Sequence, residues 1–182
     1  DHNGRLELIC ASVQGSGIYT YSNYFEVNEQ LDGLMQCDVK SDRGGSEADV
    51  VVETVPVYYD GEEDIYHYIF SDYIRDGMTM SYENIRELSL KNGEITDKVF
   101  VYKDSIYDEN GMETAEYYNA ATKEAIDREQ YESMVETVFA GLEKKTAAFS
   151  WEGRLMSELK EMDREQIQDM LQKSYKGFSI HE

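Results

Sequence analysis

The first seven residues have the residue types and the spacing of a short loop that binds a hard cation such as Ca²⁺. Asp1 and Asn3 offer side-chain oxygen ligands at alternate positions, and Gly4 allows a sharp turn. The main-chain carbonyl of Arg5 and the carboxylate of Glu7 would complete the ligand set. The pattern therefore predicts a calcium loop whose ligands are Asp1, Asn3, Arg5 and Glu7.

This loop differs from a full EF-hand in two ways. The glutamate that closes an EF-hand would stand at Cys10, so an EF-hand is excluded. The first ligand of such a loop would precede Asp1, so the expected affinity is no better than about millimolar. The alternative is a plain turn at Asn3 and Gly4 that leads into a strand over residues 6–13 and leaves Glu7 in solvent.

The opening segment and residues 14–21 (QGSGIYTY) resemble a loosely defined group of uncharacterised extracytoplasmic proteins and lipoproteins of Gram-positive, often gut-dwelling, bacteria. In that group a D-x-[DN]-G-x-x-E-L segment introduces a β-rich domain, and the segment is similar to the calcium loops of dockerin-like and integrin-type repeat modules. The resemblance is concentrated in residues 1–34. It implies export to the cell surface or the medium and a bound Ca²⁺, and it implies no reaction.

Catalytic residue patterns are weak in this chain. Of the three histidines, His2 and His181 stand near the ends, and His67 lies in a predicted strand among aromatic residues. An imidazole in that setting is more often packed than used as a general base, and no G-x-S-x-G motif accompanies it. The 38 acidic residues leave a glycosidase-type carboxylate pair open as an alternative.

The two cysteines, Cys10 and Cys37, form no C-x-x-C motif, so the chain offers neither a thioredoxin-like motif nor a cysteine zinc site. Both cysteines lie in predicted strands. Nothing in their spacing ensures that the two thiols come within bridging reach, so two small buried side chains are expected and a disulfide between them stays open.

Length and charge bound the remaining classes of function. A chain of 182 residues with 41% hydrophobic residues and 1 proline is expected to fold into a globular domain. A net charge of -21 repels phosphates and anionic lipid surfaces, which argues against nucleic-acid binding. No apolar run is long enough to predict a membrane span.

The first two thirds of the chain read as strands joined by tight turns. Four Asx-Gly pairs recur 16 to 18 residues apart, and a fifth precedes them; the pairs begin at Asp32, Asp60, Asp76, Asn92 and Asn110. Such pairs tolerate the positive φ angles of hairpin turns. The segments between them are rich in Tyr, Val, Ile and Phe, which predicts an antiparallel meander.

The hydrophobic period changes after about residue 122. Residues 131–142 place apolar side chains at helical spacing, and Asp127 with Gln130 forms a capping box at the start. The same helix start returns 36 residues later with Asp163 and Gln166. The sequence therefore predicts two amphipathic helices, with a returning strand over residues 146–151 and a short helical turn over residues 154–161 between them.

These observations predict one α+β domain over residues 1–182, with a β-rich part over residues 5–122 and a helical part over residues 123–178. We expect a tyrosine-rich antiparallel meander with two amphipathic helices packed on it. The 15 tyrosines favour sheet packing, and a binding face is the functional alternative; the candidates for that face are Tyr19, Tyr21, Tyr66, Tyr68, Tyr117 and Tyr118.

The leading hypothesis for function is a non-enzymatic, secreted or surface-attached module that binds a protein, a peptide or a glycan through an aromatic sheet face. One alternative is a hydrolase that acts on glycans with an Asp/Glu pair. Another is an acidic inhibitor or immunity-like protein whose charge complements a basic partner.

Overall fold

The computed structural model describes residues 3–14, 19–41 and 47–182, and within these residues it contains twelve strands and three helices. The strands are β1 (Glu7–Gln14), β2 (Tyr19–Val27), β3 (Leu34–Gln36), β4 (Asp38–Ser41), β5 (Thr54–Asp60), β6 (Ile65–Asp76), β7 (Met80–Lys91), β8 (Glu94–Tyr107), β9 (Glu113–Asn119), β10 (Ala125–Ile126), β11 (Glu143–Ala148) and β12 (Ser179–His181). The helices are α1 (Arg128–Val138), α2 (Met156–Glu161) and α3 (Arg164–Gly177).

The strands form two sheets. The small sheet has the order β1-β2-β3, and the large sheet has the order β10-β9-β8-β7-β6-β5-β11-β12. All of these neighbours are antiparallel, and β4 adds one parallel pairing along the first residues of β8. The structure therefore confirms the predicted α+β class, with strands β5 to β9 forming the expected meander.

The predicted Asx-Gly turns connect the strands of this meander. Asn92 and Gly93 make a two-residue turn in which both φ angles are positive, at 54° and 76°. The turns that begin at Asp60, Asp76 and Asn110 belong to longer connections. In each of these connections one residue has a positive φ angle, namely Asp64, Gly77 and Gly111 respectively. A Cβ atom at Gly93 would also lie 3.0 Å from the Met35 side chain of β3. The positive φ angle and this close contact therefore both favour glycine at this position.

We call the side of the large sheet that packs on the small sheet its back face. The buried side chains between the two sheets include Tyr24 and Cys37 from the small-sheet region and Val57, Phe70 and Leu88 from the large sheet. Ala48, Val50, Val55, Ile95 and Ala147 complete this core. The aromatic and branched side chains alternate along each strand, so one face of each sheet supplies this apolar layer.

The opposite side of the large sheet, its front face, is partly covered by α1. The capping box of Asp127 and Gln130 is present as predicted, and it fixes where the helix begins. Phe139, at the end of α1, stacks on Tyr58 with ring centroids 4.9 Å apart and meets Phe100 edge to face at 5.6 Å. A break in the β7–β8 register beside Ile85 leaves Phe100 without a partner across the strands, and its ring packs in the cluster with Phe139.

Helices α2 and α3 follow the returning strand β11. Helix α3 begins with the predicted capping box of Asp163 and Gln166, and it contains no buried residue. It docks at its C-terminal end, where the Ser174 hydroxyl donates a 2.7 Å hydrogen bond to the carbonyl oxygen of Ser150. A Cβ atom at Gly177 would collide with the Ser150 side chain, which shows how closely this end of the helix approaches the sheet.

A buried ion pair crosses strands β7 and β8 on the back face. Arg86 is fully buried, and its Nε donates a 2.8 Å hydrogen bond to Asp97, which is 2% exposed. Asp72 of β6 lies 3.7 Å from the same guanidinium. This group of three residues stabilises the centre of the sheet only as a complete set, because a buried charge without its partner is costly.

The cysteine expectation is corrected in part. Cys37 is buried as expected, whereas Cys10 is exposed on β1, and both thiols are free. The polar segment over residues 40–49, which contains Gly44, Gly45 and Ser46, is expected from its composition to be a loop. Lys40 and Ser41 belong instead to β4, and residues 42–46 lie outside the described residues.

Candidate functional site

The N-terminal segment shows how two of the four predicted calcium ligands are placed. Asp1 lies outside the described residues. The side-chain oxygen of Asn3 accepts a 2.9 Å hydrogen bond from the backbone N–H of Arg5, and Gly4 between them has a φ of 80°. This is an Asx turn, so the sharp bend that the sequence predicted is present.

Glu26 of β2 is an acidic residue at this turn that the sequence pattern did not reveal. It is fully buried, it lies 2.7 Å from the Arg5 guanidinium, and the Asn3 amide donates a hydrogen bond to it. Glu7 lies directly across the strands from Glu26. The Arg5 guanidinium therefore supplies the positive charge that balances Glu26.

Metal ligation at this segment stays a prediction. Within the described ranges, which omit Asp1, no group of three or more His, Cys, Asp or Glu side chains has an arrangement that would hold a metal ion.

His67 has a hydrogen-bonding partner that the sequence did not predict. Its Nδ1 lies 2.6 Å from Glu87, and the Ser89 hydroxyl donates a 2.9 Å hydrogen bond to the same carboxylate oxygen. The imidazole also packs 5.0 Å from the Phe139 ring at the end of α1. Because Ser89 contacts the acid and not the imidazole, the order of contacts differs from that of a nucleophilic serine triad. This arrangement supports a packed polar group beneath α1.

The front face extends beyond α1, along the ends of β6 and β7 and the facing parts of β8 and β9. We call this part the front shelf and define it by six side chains that the strand register places on one face: Tyr73, Arg75, Glu83, Lys103, Tyr107 and Glu113. Tyr73 is 39% exposed, and Arg75 and Glu113 are exposed as well. Strands β6, β7 and β8 are long enough to extend past the helix, and the shelf is the part of the front face that lies beyond it.

Lys103 is the electrostatic centre of the front shelf. Its ammonium nitrogen lies 3.2 Å from Glu83 on one side and 3.2 Å from Glu113 on the other. The Ser105 hydroxyl donates a 2.6 Å hydrogen bond to Glu113. The hydrogen bonds from Ser105 and Lys103 lower the pKa of Glu113, so this carboxylate is ionised at neutral pH.

The tyrosines at the shelf are held by their neighbours. Tyr107 lies 3.2 Å from the buried Ser81 hydroxyl, and the Arg75 guanidinium lies 5.9 Å from the centre of its ring. At the border with α1, the Tyr131 ring packs 5.0 Å from Tyr117. The Tyr131 hydroxyl is buried without a hydrogen-bond partner, and burial raises its pKa. The shelf thus combines fixed aromatic rings with ionic groups of both signs.

A second pair of carboxylates lies on the back face, where Asp104 of β8 is directly opposite Glu116 of β9. Burial and the charge of Glu116 raise the pKa of Asp104. The Tyr118 hydroxyl donates a 2.6 Å hydrogen bond to Glu116, and this bond raises the pKa of Tyr118 to about 12. Asp104 is therefore easier to protonate than an ordinary aspartate.

The tyrosines that the sequence proposed for a binding face are placed differently from one another. Tyr66 and Tyr68 pack against the core behind the large sheet. Tyr118 stacks on Tyr102 at 4.9 Å on the back face, and Tyr117 packs against α1 as described above. Tyr21 is 50% exposed on the small sheet, and the side chain of Tyr19 is outside the described part of the structure.

Concave sites are shallow in the described part of the chain. The two best-formed hollows measure about 430 and 390 Å³ and are open to solvent between α2 and α3. Glu158, Met162 and Gln166 line both of them. No residue of the front shelf lines either hollow.

Comparison with protein-family models, with curated proteins and with solved structures finds no match to this chain. Among the described residues, none of the helices has the length and apolar character needed to cross a membrane.

Proposed function

We propose that the protein is a non-enzymatic binding module whose front shelf binds a partner protein. The observation that carries the proposal is the shelf itself, a partly exposed surface that joins Tyr73 and Tyr107 with Arg75 and the Lys103 ion pairs. Tyrosine and arginine are enriched in protein interfaces, where they combine large contact areas with polar groups. Small-molecule sites are usually concave, and the shelf lines neither of the two best-formed hollows, so a macromolecular partner fits it better.

The charges on the shelf also define the kind of partner. Glu83 and Glu113 flank Lys103, and Arg75 lies beside Tyr107. A surface with both signs fits a partner that offers both signs, whereas an inhibitor of a basic enzyme would need an acidic face. The proposal includes an extracytoplasmic location, which rests on the resemblance of residues 1–34 alone.

The experiment compares labelled wild-type protein with a shelf variant on one array of proteins and peptides and on one array of glycans. The shelf variant is Tyr73→Ala with Arg75→Ala, and the matched control is Tyr21→Ala, an exposed tyrosine on the small sheet. We expect the wild type and the control to bind the same proteins, and the shelf variant to lose roughly tenfold or more in affinity. Signals that survive in the shelf variant, or that occur on glycans alone, contradict the proposal.

A glycan-directed hydrolase is the second candidate, and the raised pKa of Asp104 opposite Glu116 favours it. A protonated acid beside a carboxylate is the pair that glycoside hydrolysis uses. The test is a panel of chromogenic glycosides with the wild type and with Asp104→Asn. Turnover by the wild type that Asp104→Asn abolishes would replace the binding proposal with this one.

A further inference from the structure

Strand β1 is a long edge strand with outward-facing backbone groups. It forms one side of the small sheet, and all eight of its residues pair with β2 in an uninterrupted register. The Val27 N–H donates a hydrogen bond to the carbonyl oxygen of Leu6. Leu6 and every second residue after it therefore direct their backbone N–H and C=O groups toward β2. The backbone groups of Ile9, Ala11 and Val13 therefore face away from β2, and no strand of the described residues pairs with them.

This edge lacks the features that usually prevent pairing with another strand. Residues 8–14 contain no charged residue and no proline, and the register with β2 has no bulge. The other edge strands that the structure describes are short, with three residues in β3, four in β4, two in β10 and three in β12. A short edge offers few backbone groups to a partner, so β1 is the edge most open to strand addition.

We propose that β1 pairs in antiparallel orientation with β1 of a second copy of this chain, which joins the two small sheets into one sheet of six strands. A second copy fits as the occupant because residues 8–14, which carry no charge, can pair with themselves. Two chains of net charge -21 repel each other. The uncharged segment 8–14 lets them meet without placing like charges opposite each other.

In a symmetric antiparallel pair, the two-fold axis passes one residue of β1, which then lies opposite its own counterpart in the second copy. The axis cannot pass between two residues, because paired residues must point to the same face of the sheet. An axis at Cys10 pairs every outward-facing residue from Glu7 to Val13 with one of the other copy, and Ile9 then pairs with Ala11. Ile9 and Ala11 both pack against the core behind the large sheet, so this register continues the apolar layer into the second copy.

The two Cys10 thiols report on this register. Cys10 is exposed, and its backbone groups face β2, so the two copies of Cys10 would form a pair without hydrogen bonds between them. The Cα atoms of such a pair are about 4.5 Å apart, which is within the range of a disulfide. With the axis at Ala11, Cys10 would face Ser12 of the other copy and no disulfide would form.

The first experiment is sedimentation velocity of the reduced protein over a range of concentrations. We expect a concentration-dependent dimer for the wild type and for Cys10→Ser. We expect Cys10→Lys to sediment as a monomer over the same range, because two ammonium groups would face each other across the axis. A wild-type monomer at every concentration, or a dimer that Cys10→Lys retains, overturns the proposal.

The second experiment captures the dimer with oxidised glutathione in a Cys37→Ser background. Two Cys10 thiols give up two protons and two electrons to form one disulfide, and oxidised glutathione takes them up as two glutathione thiols. Ala11→Pro is the blocking variant, because it removes an N–H that faces away from β2 and leaves the β1–β2 ladder intact. We expect a disulfide-linked dimer without this substitution and a glutathione-capped monomer with it; a capped monomer in both proteins contradicts the proposed register.

Discussion

Lys103 lies 3.2 Å from Glu113 across two neighbouring strands, in the middle of the exposed half of the front face. Glu83 holds the same ammonium group from the other side, so the lysine is fixed between two carboxylates. Such a network holds its side chains in one geometry before a partner arrives. A surface whose side chains are already ordered loses less conformational entropy when it binds.

The pKa of Glu113 tests this network. It lies below the ordinary value of 4.5 because Ser105 and Lys103 donate hydrogen bonds to the carboxylate. A pKa that is lower in the folded state stabilises the protein above the unfolded value, and this stabilisation is lost as the pH falls below about 4.5. We expect Ser105→Ala to raise the pKa of Glu113, as measured by NMR titration of its side-chain carboxyl carbon. An unchanged titration midpoint would show that Ser105 does not act on Glu113.

Helices α1 and α3 are expected to differ in their contribution to stability. Phe139 is 6% exposed and packs against Tyr58 and Phe100, so Phe139→Ala should lower the free energy of unfolding by about 3–5 kcal/mol. Leu171 of α3 is 40% exposed, and Leu171→Ala should cost less than about 1 kcal/mol. Urea denaturation followed by circular dichroism measures both. Similar costs for the two variants would mean that α3 buries its apolar side in solution.

Arg86 tests the buried ion pairs of the large sheet. Arg86→Met leaves Asp97 and Asp72 buried without their cation, so we expect a loss of about 3–5 kcal/mol in the free energy of unfolding. Lys98→Met is the matched control, because Lys98 is exposed on the same strand as Asp97. The interpretation is wrong if the two variants unfold at the same urea concentration.

Calcium binding is tested by thermal unfolding with and without Ca²⁺ at about 1 mM, the weak end of extracellular calcium sites. We expect a small rise in Tm that Glu7→Gln abolishes, since Glu7 is the predicted closing ligand. We expect Arg5→Ala to enlarge the rise, because the Arg5 guanidinium now balances Glu26 and competes with a cation there. If Glu7→Gln leaves the rise unchanged, Asn3 and Gly4 form only a turn.

Local features of the fold were predictable from sequence, because they depend on residues close together in the chain. The capping boxes at Asp127 and Asp163 and the turn at Asn92 and Gly93 are examples. The exposed side of α3 was not predictable, since an apolar stripe does not reveal whether it has a partner in the fold.

The site residues depend on register between distant strands, which the sequence did not reveal. Lys103 meets Glu83 and Glu113 because three strands align them, and no local pattern marks that meeting. Glu26 likewise pairs with Arg5 across 21 residues. A partial signal for the shelf existed in Tyr73 and Arg75, which follow His67 and Ile69 at even spacing on the same face of β6.

NMR mapping of a bound partner shows directly whether the front shelf is the binding surface. A protein or peptide that binds on the array is titrated into ¹⁵N-labelled wild-type protein, and amide chemical shifts are followed. We expect the largest changes in residues 71–76, 80–84, 103–107 and 113–117, which form the exposed half of the front face. Changes confined to the small sheet or to α3, with Tyr73 and Lys103 unaffected, would contradict this expectation.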